Sequence, residues 1–252
     1  MSVLGIIPAR YASSRFPGKP LALLYGKPMI QHTYERAHQA TCLTHLLVAT
    51  DDARIAEAVT GFGGEVAMTS PDHASGTDRA AEVVRKRSDE IIVNIQGDEP
   101  LITPEAIEAV VQPLLEDPAL PMATLVHRID QAAHLMNRHM GKVVMDRQGN
   151  ALYFTRAPIP YPPEDSPDFS LFGETEYFNT VGLYGYRRDF LLTFADLEPT
   201  PLEQAEGLEQ LRALEHGYTI RVVETDYEPL GVDVPDDLNL AEKRLRGGDL
   251  IP

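Results

Sequence analysis

The sequence has little cysteine, which limits both its covalent chemistry and its cellular compartment. Cys42 is the single cysteine among 252 residues, so no internal disulfide can form. The chain also lacks any Asn-x-Ser/Thr glycosylation acceptor. Both absences are typical of the reducing cytosol, where thiols stay reduced. We therefore expect a cytoplasmic protein that is stabilised by its core, because apolar residues make up 43% of the chain.

Long hydrophobic runs are missing as well. No apolar run approaches the ~20 residues that a membrane span needs. The N-terminal stretch "VLGIIPA" lacks the basic lead and the long apolar segment of a signal peptide. The net charge of −16 would repel nucleic acids and anionic membranes. We expect neither a nucleic-acid partner nor membrane insertion.

Acidic residues are absent from one long segment of this acidic chain. Residues 1–34 contain no Asp or Glu, although uniform mixing would place roughly five there. The same segment carries the cations Arg10, Arg15, Lys19 and Lys27. Chance, or ordinary solvated loop charges, would explain the bias without a function. An anionic ligand bound at the N-terminal loop is the interpretation that we favour.

Several common catalytic motifs are also absent. The pair Gly18-Lys19 suggests a phosphate-binding loop, but Pro20 follows it and Ser13 stands where a Walker A motif has glycine. No G-x-G-x-x-G follows a predicted strand, which argues against a dinucleotide cofactor. The chain has no H-E-x-x-H, G-x-S-x-G or Asp-x-Asp. These absences argue against metalloproteases, α/β-hydrolases and glycosyltransferases with the usual metal motif.

Short apolar runs alternate with helical patterns in the first half of the chain. The pattern predicts strands at Val3–Ile7, His45–Thr50, Glu65–Met68 and Ile91–Gln96, and helices at Pro28–Gln39, Ala53–Phe62 and Gly76–Lys86. The strands are rich in Val and Ile and alternate little, as parallel strands buried on both faces do. This order predicts an α/β fold with a doubly wound, mostly parallel sheet up to about residue 120.

The second half has a different pattern. Further strands are predicted at Met122–Ile129, Lys142–Met145 and Thr180–Tyr186, with a strand–turn–strand at Asp146–Phe154. Residues 157–168 are too rich in proline for a helix and predict a loop. One helix is predicted over Glu203–Glu215, ending at Gly217, and a last helix begins at Val234-Pro235. We expect a single domain, 1–252, with a smaller, partly antiparallel subdomain inserted at about 122–200.

Charged residues follow the predicted strands, where ligands of open α/β sheets bind. The cationic loop follows the first strand, Gly97-Asp98-Glu99-Pro100 follows the fourth, and Gly231-Val232-Asp233-Val234-Pro235 comes late in the chain. Arg and Lys bind phosphate oxygens, and carboxylates bind Mg²⁺. The arrangement is typical of a metal–nucleotide site.

Each of these residues also has an interpretation without a ligand. Asp98 could cap the helix near Pro104, and Asp233 could lie in the N-cap region of the last helix. Gln96 could be an ordinary side chain at a strand end. His73 is better explained as a loop histidine than as a ligand.

Nine stretches together resemble the family of 3-deoxy-manno-octulosonate (KDO) cytidylyltransferases, also called CMP-KDO synthetases. They are "IPARYASSRFPGKPL" (Ile7–Leu21), "GKPMIQH" (Gly26–His32), "VATDD" (Val48–Asp52), "MTSPDHASGTDR" (Met68–Arg79), "IVNIQGDEPLI" (Ile92–Ile102), "ALYFTRAPIPY" (Ala151–Tyr161), "GLYGYRRDFL" (Gly182–Leu191), "LEQLRALEHG" (Leu208–Gly217) and "GVDVPDDL" (Gly231–Leu238). Each stretch alone is a weak signal. Nine of them in the family's order, over nearly the whole chain, are specific.

The resemblance implies a fold, an activity and partners. The fold would be that of the nucleotide-diphospho-sugar transferases. The activity would be that of a nucleotidyltransferase: CTP + KDO → CMP-KDO + pyrophosphate, with Mg²⁺ as cofactor. The product would serve lipopolysaccharide biosynthesis in a Gram-negative cytoplasm. Family members are usually homodimers, and the middle segment is the expected interface.

The resemblance also implies roles for individual residues. Arg10, Arg15 and Lys19 would hold the CTP triphosphate, Ala9, Ser75 and Gly76 would line the cytosine pocket, and Asp98 and Asp233 would coordinate Mg²⁺. Gln96, Arg156, Thr180, Tyr184, Glu209 and Gln210 would surround the sugar acid, with Arg156 near its carboxylate. Catalysis would depend on Arg10, Lys19, Asp98 and Asp233 through positioning and charge compensation, without a Ser or Cys nucleophile.

Thr180 departs from the family pattern, which has histidine two residues before the "GLYGYR" glycine. Threonine is shorter and carries no charge, so the sugar is less well specified than the nucleotide. A nucleotidyltransferase for another keto-sugar acid, such as 8-amino-KDO or a sialic acid, stays open. So does a nucleotide-binding regulator without catalysis, although binding alone hardly needs both Asp98 and Asp233.

Overall fold

Strands and helices alternate along most of the chain. The computed structural model describes residues 1–12, 15–162 and 175–246. Their strands are β1 (Val3–Ala9), β2 (Leu23–Leu24), β3 (Lys27–Pro28), β4 (His45–Thr50), β5 (Val66–Met68), β6 (Ile91–Asn94), β7 (Met122–Arg128), β8 (Lys142–Met145), β9 (Ala151–Thr155), β10 (Phe178–Arg187) and β11 (Ile220–Glu224). Their helices are α1 (Met29–Ala37), α2 (Ala53–Gly61), α3 (Gly76–Val84), α4 (Pro104–Glu116), α5 (Ala132–Met136), α6 (Arg188–Asp196), α7 (Pro201–Glu206), α8 (Leu211–Glu215) and α9 (Pro235–Arg246), and a 3-10 helix covers Lys19–Leu21.

The main sheet has the strand order β11-β7-β10-β6-β1-β4-β5. β1 pairs in parallel with β4 and β6, and β4 pairs in parallel with β5. β10 runs antiparallel between β6 and β7, while β7 pairs in parallel with β11. β8 and β9 form an antiparallel hairpin that pairs with β10. The predicted α/β fold with a mostly parallel central sheet is therefore confirmed, and β10 adds the antiparallel part.

The central strands are buried on both faces, which explains their near-continuous apolar sequence. Ile7 of β1 packs in the core that also holds residues of α1, α2 and α4, while Leu4 and Ile6 pack in the core on the other face with α3 and α6. Each fully buried side chain of this size contributes about 1.5–3 kcal/mol. None of the helices in the described residues has an apolar stretch of the length that a bilayer crossing requires.

Most predicted elements lie within one to three residues of the observed ones, but the helix predicted over Glu203–Glu215 is wrong. The chain forms α7 and α8 instead, separated at Gly207. Gly207 adopts φ 61°, a left-handed conformation that ends helices and that glycine enters at little cost. The break leaves Glu209 and Gln210 between the two helices. Of the predicted motifs, Ser13 and residues 163–168 of the proline-rich loop lie outside the described residues.

The segment predicted to be inserted, 122–200, contributes directly to the main sheet. β7 and β10 both come from this segment and pair with each other and with neighbouring strands. β8 and β9, also from this segment, continue the same sheet through the pairing of β8 with β10. The limits of the inserted subdomain and its sugar-binding and dimerisation roles stay predictions.

Candidate active site

An open cavity of about 230 Å³ lies at the carboxyl ends of β1 and β6. Nine residues predicted for the site line it: Ala9, Arg10, Arg15, Lys19, Ser75, Gly76, Gln96, Asp98 and Asp233. They come from the end of β1, from the loops after the two strands, from the start of α3 and from the segment before α9. The cavity therefore collects, at one edge of the sheet, side chains that are far apart in sequence, as open α/β sheets do.

Gly97 allows the loop after β6 to approach the end of β1. A Cβ atom at this position would lie 2.8 Å from the carbonyl oxygen of Pro8, closer than real Cβ atoms come to backbone. The neighbouring Asp98 is thereby held at the floor of the cavity. The backbone N–H of Val232 donates to the Asp98 carbonyl at 2.9 Å, which brings Asp233 to the same place.

Two carboxylates converge on the ammonium group of Lys19. Its Nζ lies 2.6 Å from Asp98 Oδ2 and 3.3 Å from Asp233 Oδ1. Asp233 Oδ2 also accepts a hydrogen bond of 3.0 Å from Arg15 Nη1. The Lys19 side chain is only 14% exposed, whereas that of Arg15 is 65% exposed. Lys19 is therefore better shielded from solvent than Arg15, and its ion pairs with Asp98 and Asp233 are less screened.

The donor set of Asp98 and Asp233 fits a magnesium ion. Their oxygens point at one common position, occupied by Lys19 Nζ, and carboxylates are the hard ligands that Mg²⁺ prefers. Among the described residues, no group of three or more potential metal-ligating side chains occurs. Magnesium usually keeps several waters and binds substrate phosphates alongside one or two carboxylates. Two convergent carboxylates are therefore an adequate protein contribution.

The two aspartates have no capping role that would explain them otherwise. The N-cap of α4 is Thr103, whose Oγ1 accepts from the backbone N–H of Ala106, and not Asp98. At the start of α9, Asp237 Oδ2 accepts from the backbone N–H of Asp233 at 2.7 Å. The Asp233 carboxylate is thus left to face Arg15 and Lys19.

A buried carboxyl group, Glu99, supports the site from behind. Its Oε2 accepts hydrogen bonds from the Tyr227 hydroxyl at 2.7 Å and from the Leu230 backbone N–H at 3.1 Å. These contacts tie the segment that precedes Asp233 to the loop that carries Asp98. Burial raises the pKa of Glu99 to about 7, and Tyr227 opposes this by donating a hydrogen bond.

Replacing Glu99 with glutamine should flatten the pH dependence of stability. Because the pKa of Glu99 is about 7 in the folded protein and the ordinary value for glutamate is 4.5, the folded state keeps a proton that the unfolded chain loses. The contribution of Glu99 to wild-type stability should therefore fall as pH rises from 4.5 to 7, by about 3 kcal/mol relative to Glu99→Gln at 1.36 kcal/mol per pKa unit. Urea unfolding at several pH values, without nucleotide or metal, measures the slope.

The glutamine side chain keeps an oxygen that accepts from Tyr227 and Leu230, so Glu99→Gln isolates the charge. Glu57→Gln, at an exposed position of α2, is the control and should leave the slope unchanged. A Glu99→Gln protein with the wild-type slope would mean that Glu99 stays ionised in the fold.

The N-terminus of α3 forms another wall of the cavity. Ser75 and Asp78 make a reciprocal capping box, and Ser75 and Gly76 line the cavity. A helix N-terminus attracts anions through its free N–H groups and its dipole. This end of α3 therefore adds positive potential to that of Arg10, Arg15 and Lys19.

His73 and Arg79 line the same cavity, although sequence reasoning assigned neither a role. His73 Nε2 lies 2.6 Å from Glu82 Oε2, which fixes the ring at the rim. The Arg79 side chain is 4% exposed and forms an ion pair of 3.3 Å with Asp51. Both residues stand in the stretch "MTSPDHASGTDR", but sequence alone does not indicate that they face the ligand.

Glu209, Gln210 and Tyr184 are among the residues predicted around the sugar acid, and Glu209 contacts the start of α3. Glu209 Oε2 accepts a hydrogen bond of 2.6 Å from the Thr77 hydroxyl. Burial raises the pKa of Glu209, and burial together with the Glu209 charge raises that of Tyr184. Gln210 is 4% exposed, and its Nε2 has no hydrogen-bond partner among the described residues. An unpaired buried donor is costly, and the contact of Gln210 with the sugar acid stays a prediction.

Arg156 and Thr180 lie in a separate group around residues 137–141. The Arg156 guanidinium donates to main-chain carbonyls: Nε to Glu206 at 2.7 Å, Nη1 to His139 at 3.1 Å and Nη2 to Gly207 at 3.2 Å. The Thr180 backbone N–H donates to the carbonyl of Gly141 at 2.8 Å. The guanidinium is thus largely used within the protein, and its contact with the sugar carboxylate stays a prediction.

Comparison with known proteins points to a single family. The family model described as Cytidylyltransferase matches residues 4–221. A protein of Syntrophotalea carbinolica named 3-deoxy-manno-octulosonate cytidylyltransferase is 59% identical, over 98% of this chain and 100% of that one. One of Pelobacter propionicus with the same name is 54% identical, over 98% of both chains. A solved structure of CMP:2-keto-3-deoxy-manno-octonic acid synthetase complexed with CTP matches with a TM-score of 0.91 and 45% identity, over 98% of this chain and 99% of that one.

Proposed function

The chain belongs to the cytidylyltransferase family, and we propose from this premise that it joins CTP and KDO to form CMP-KDO and pyrophosphate. The observation that carries the proposal is the convergence of Lys19, Asp98 and Asp233 at the strand-end cavity. Cations for a triphosphate and carboxylates for its metal meet there at one point. The names of the relatives and the CTP bound in the similar structure support the choice of nucleotide and sugar acid.

The proposed reaction is an in-line displacement at the α-phosphorus of CTP. The anomeric oxygen of KDO forms the new P–O bond and gives up its proton, and pyrophosphate leaves with the electron pair of the broken P–O bond. Arg10, Arg15 and Lys19 hold the triphosphate and compensate the charge that grows on the pyrophosphate. Mg²⁺, when bound to Asp98 and Asp233, would neutralise charge on the phosphate oxygens. The protein itself contributes mainly position and charge.

The acceptor side of the cavity is proposed to hold the sugar acid. Gln96 faces β10 there, since a Cβ atom at Gly182 would lie 3.4 Å from its side chain. Glu209 contacts Thr77 at the start of α3, which lines the nucleotide pocket. Gln210 follows Glu209 in the chain, and Tyr184 pairs with Asn94 of β6. This proximity supports a second substrate bound beside the α-phosphate.

We further propose a homodimer that works in the cytoplasm for lipopolysaccharide biosynthesis. Three large apolar side chains of the middle segment are exposed: Met136 at 45%, Leu152 at 61% and Tyr161 at 89%. Exposed apolar side chains of this size favour an interface when they lie together. The family resemblance supports the dimer, the compartment and the pathway.

A panel of nucleotides and keto-sugar acids, assayed for pyrophosphate release, tests the function. With Mg²⁺, we expect release with CTP and KDO, and at least about tenfold lower kcat/KM with UTP, ATP or GTP. A preference for 8-amino-KDO or a sialic acid over KDO would keep the cytidylyltransferase and change its acceptor. No release with any sugar acid, together with tight CTP binding, would favour the non-catalytic regulator.

A further inference from the structure

Lys142 is a fully buried lysine to which neither the reaction nor the sequence motifs give a role. Its exposure is 0%, and its Nζ donates to the carbonyl oxygens of Asn137 at 2.5 Å, Met140 at 3.0 Å and Arg156 at 3.0 Å. All three N–H groups of the ammonium therefore have main-chain acceptors. Burial and the nearby Arg156 charge lower the pKa of Lys142, so the fold holds this cation at a cost.

Through these hydrogen bonds, Lys142 joins the loop of residues 137–141 to the segment that follows β9. Asn137 and Met140 belong to this loop, and Arg156 follows β9. A buried cation is an expensive way to join backbone segments, because an apolar side chain of similar volume is often neutral or stabilising at such a place. The ammonium, unlike an apolar side chain, fixes three carbonyls in one geometry. Its value therefore lies in the placement of the loop.

The loop of residues 137–141 contacts Arg156 and Thr180, two of the residues predicted to bind the sugar acid. Arg156 Nη1 donates to the carbonyl of His139 at 3.1 Å, and Thr180 donates its backbone N–H to the carbonyl of Gly141 at 2.8 Å. A Cβ atom at Gly141 would lie 2.8 Å from Thr180 Oγ1 and 3.5 Å from Leu208, the residue before Glu209. A shift of this loop would therefore also move the segments that carry Arg156, Thr180 and Leu208.

We propose that Lys142 is a positioning residue for the acceptor substrate. It holds the loop of residues 137–141 against the end of β9, and it thereby sets where Arg156 and Thr180 face the sugar acid. This inference rests on the proposed function. No atom of Lys142 needs to touch substrate, and the nucleotide side of the cavity, built from β1, α3 and the loop after β6, is independent of it.

Steady-state kinetics of Lys142→Met, with each substrate varied in turn, tests the inference. Methionine has a similar length but no donors, so the three carbonyls lose their partner and the loop shifts. We expect the KM for the sugar acid to rise about tenfold or more, since a displacement near 1 Å costs up to about 10²-fold. The KM for CTP, and CTP affinity measured by calorimetry, should stay within about twofold of wild type.

Arg187→Met is the matched control. Arg187 also clamps main-chain carbonyls, with Nε donating to Leu120 at 3.3 Å and Nη2 to Asp117 at 2.9 Å and to Leu114, but these lie at and just beyond the end of α4. Its loss should lower the melting temperature without changing either KM. Lys142→Gln keeps two N–H donors, so its acceptor KM should fall between those of wild type and Lys142→Met. It also provides the comparison if the methionine variant folds poorly.

The outcomes separate this inference from the proposed function. A wild-type sugar KM in Lys142→Met and Lys142→Gln, with only a lower melting temperature, would show that Lys142 is purely structural. An equal rise of both KM values would also overturn the inference, because it would mean a general disturbance. Absence of turnover by the wild-type protein with every sugar acid would overturn the proposed function, and this inference with it.

Discussion

Replacing Asp98 with asparagine should lower kcat by about 10²–10³-fold, the cost of removing one well-placed electrostatic group. The carboxylate lies 2.6 Å from Lys19 and converges with Asp233 on one point, so it is the best placed metal ligand of the cavity. Asparagine keeps the shape but loses the charge that holds Mg²⁺. Turnover and the binding of Mn²⁺ as a spectroscopic probe, measured in the presence of CTP, should fall together.

The same loss is expected for Asp233→Asn, because both carboxylates would hold one ion. Asp189→Asn is the control, since that side chain is 93% exposed and α6 begins beside the amino end of β6, at the edge of the sheet opposite to the cavity. Circular dichroism should show that all three variants fold. If Asp98→Asn and Asp233→Asn retain turnover and Mn²⁺ binding, the metal assignment is wrong.

Replacing Lys19 with methionine should abolish most use of the triphosphate while CMP still binds. The ammonium is better shielded than the Arg15 guanidinium and would lie at the β- and γ-phosphates, where charge builds as pyrophosphate leaves. We expect kcat/KM for CTP to fall by about 10²-fold or more. The affinity for CMP, which lacks those phosphates, should change by less than about threefold.

Lys27→Met is the matched control for Lys19→Met. Lys27 belongs to the same acid-free N-terminal segment, but its Nζ pairs with Glu35 at 2.7 Å and it does not line the cavity. Its replacement should leave both affinities unchanged. Equal losses of CTP and CMP binding in Lys19→Met would move Lys19 away from the β- and γ-phosphates.

The sequence by itself determined the elements and the ends at which ligands bind. Strands such as His45–Thr50 and helices such as Ala53–Gly61 depend on nearest neighbours: buried parallel strands need continuous apolar runs, and Asp52 caps the helix that follows it. The acid-free segment and the carboxylates after the strands could also be identified from the sequence. Charge and residue type are local, and the topological rule places strand ends at one edge.

Only the tertiary structure decided which of those side chains meet, because long-range backbone pairing and burial place segments that are far apart in sequence. The ion pair of Lys19 with Asp233 spans 214 positions and depends on the hydrogen bond from Val232 to Asp98. The antiparallel entry of β10 between β6 and β7 follows from pairing partners that periodicity does not specify. The three hydrogen bonds from Lys142 to main-chain carbonyls cannot be predicted from the sequence, since every residue offers the same carbonyl and only the fold brings three of them to one ammonium.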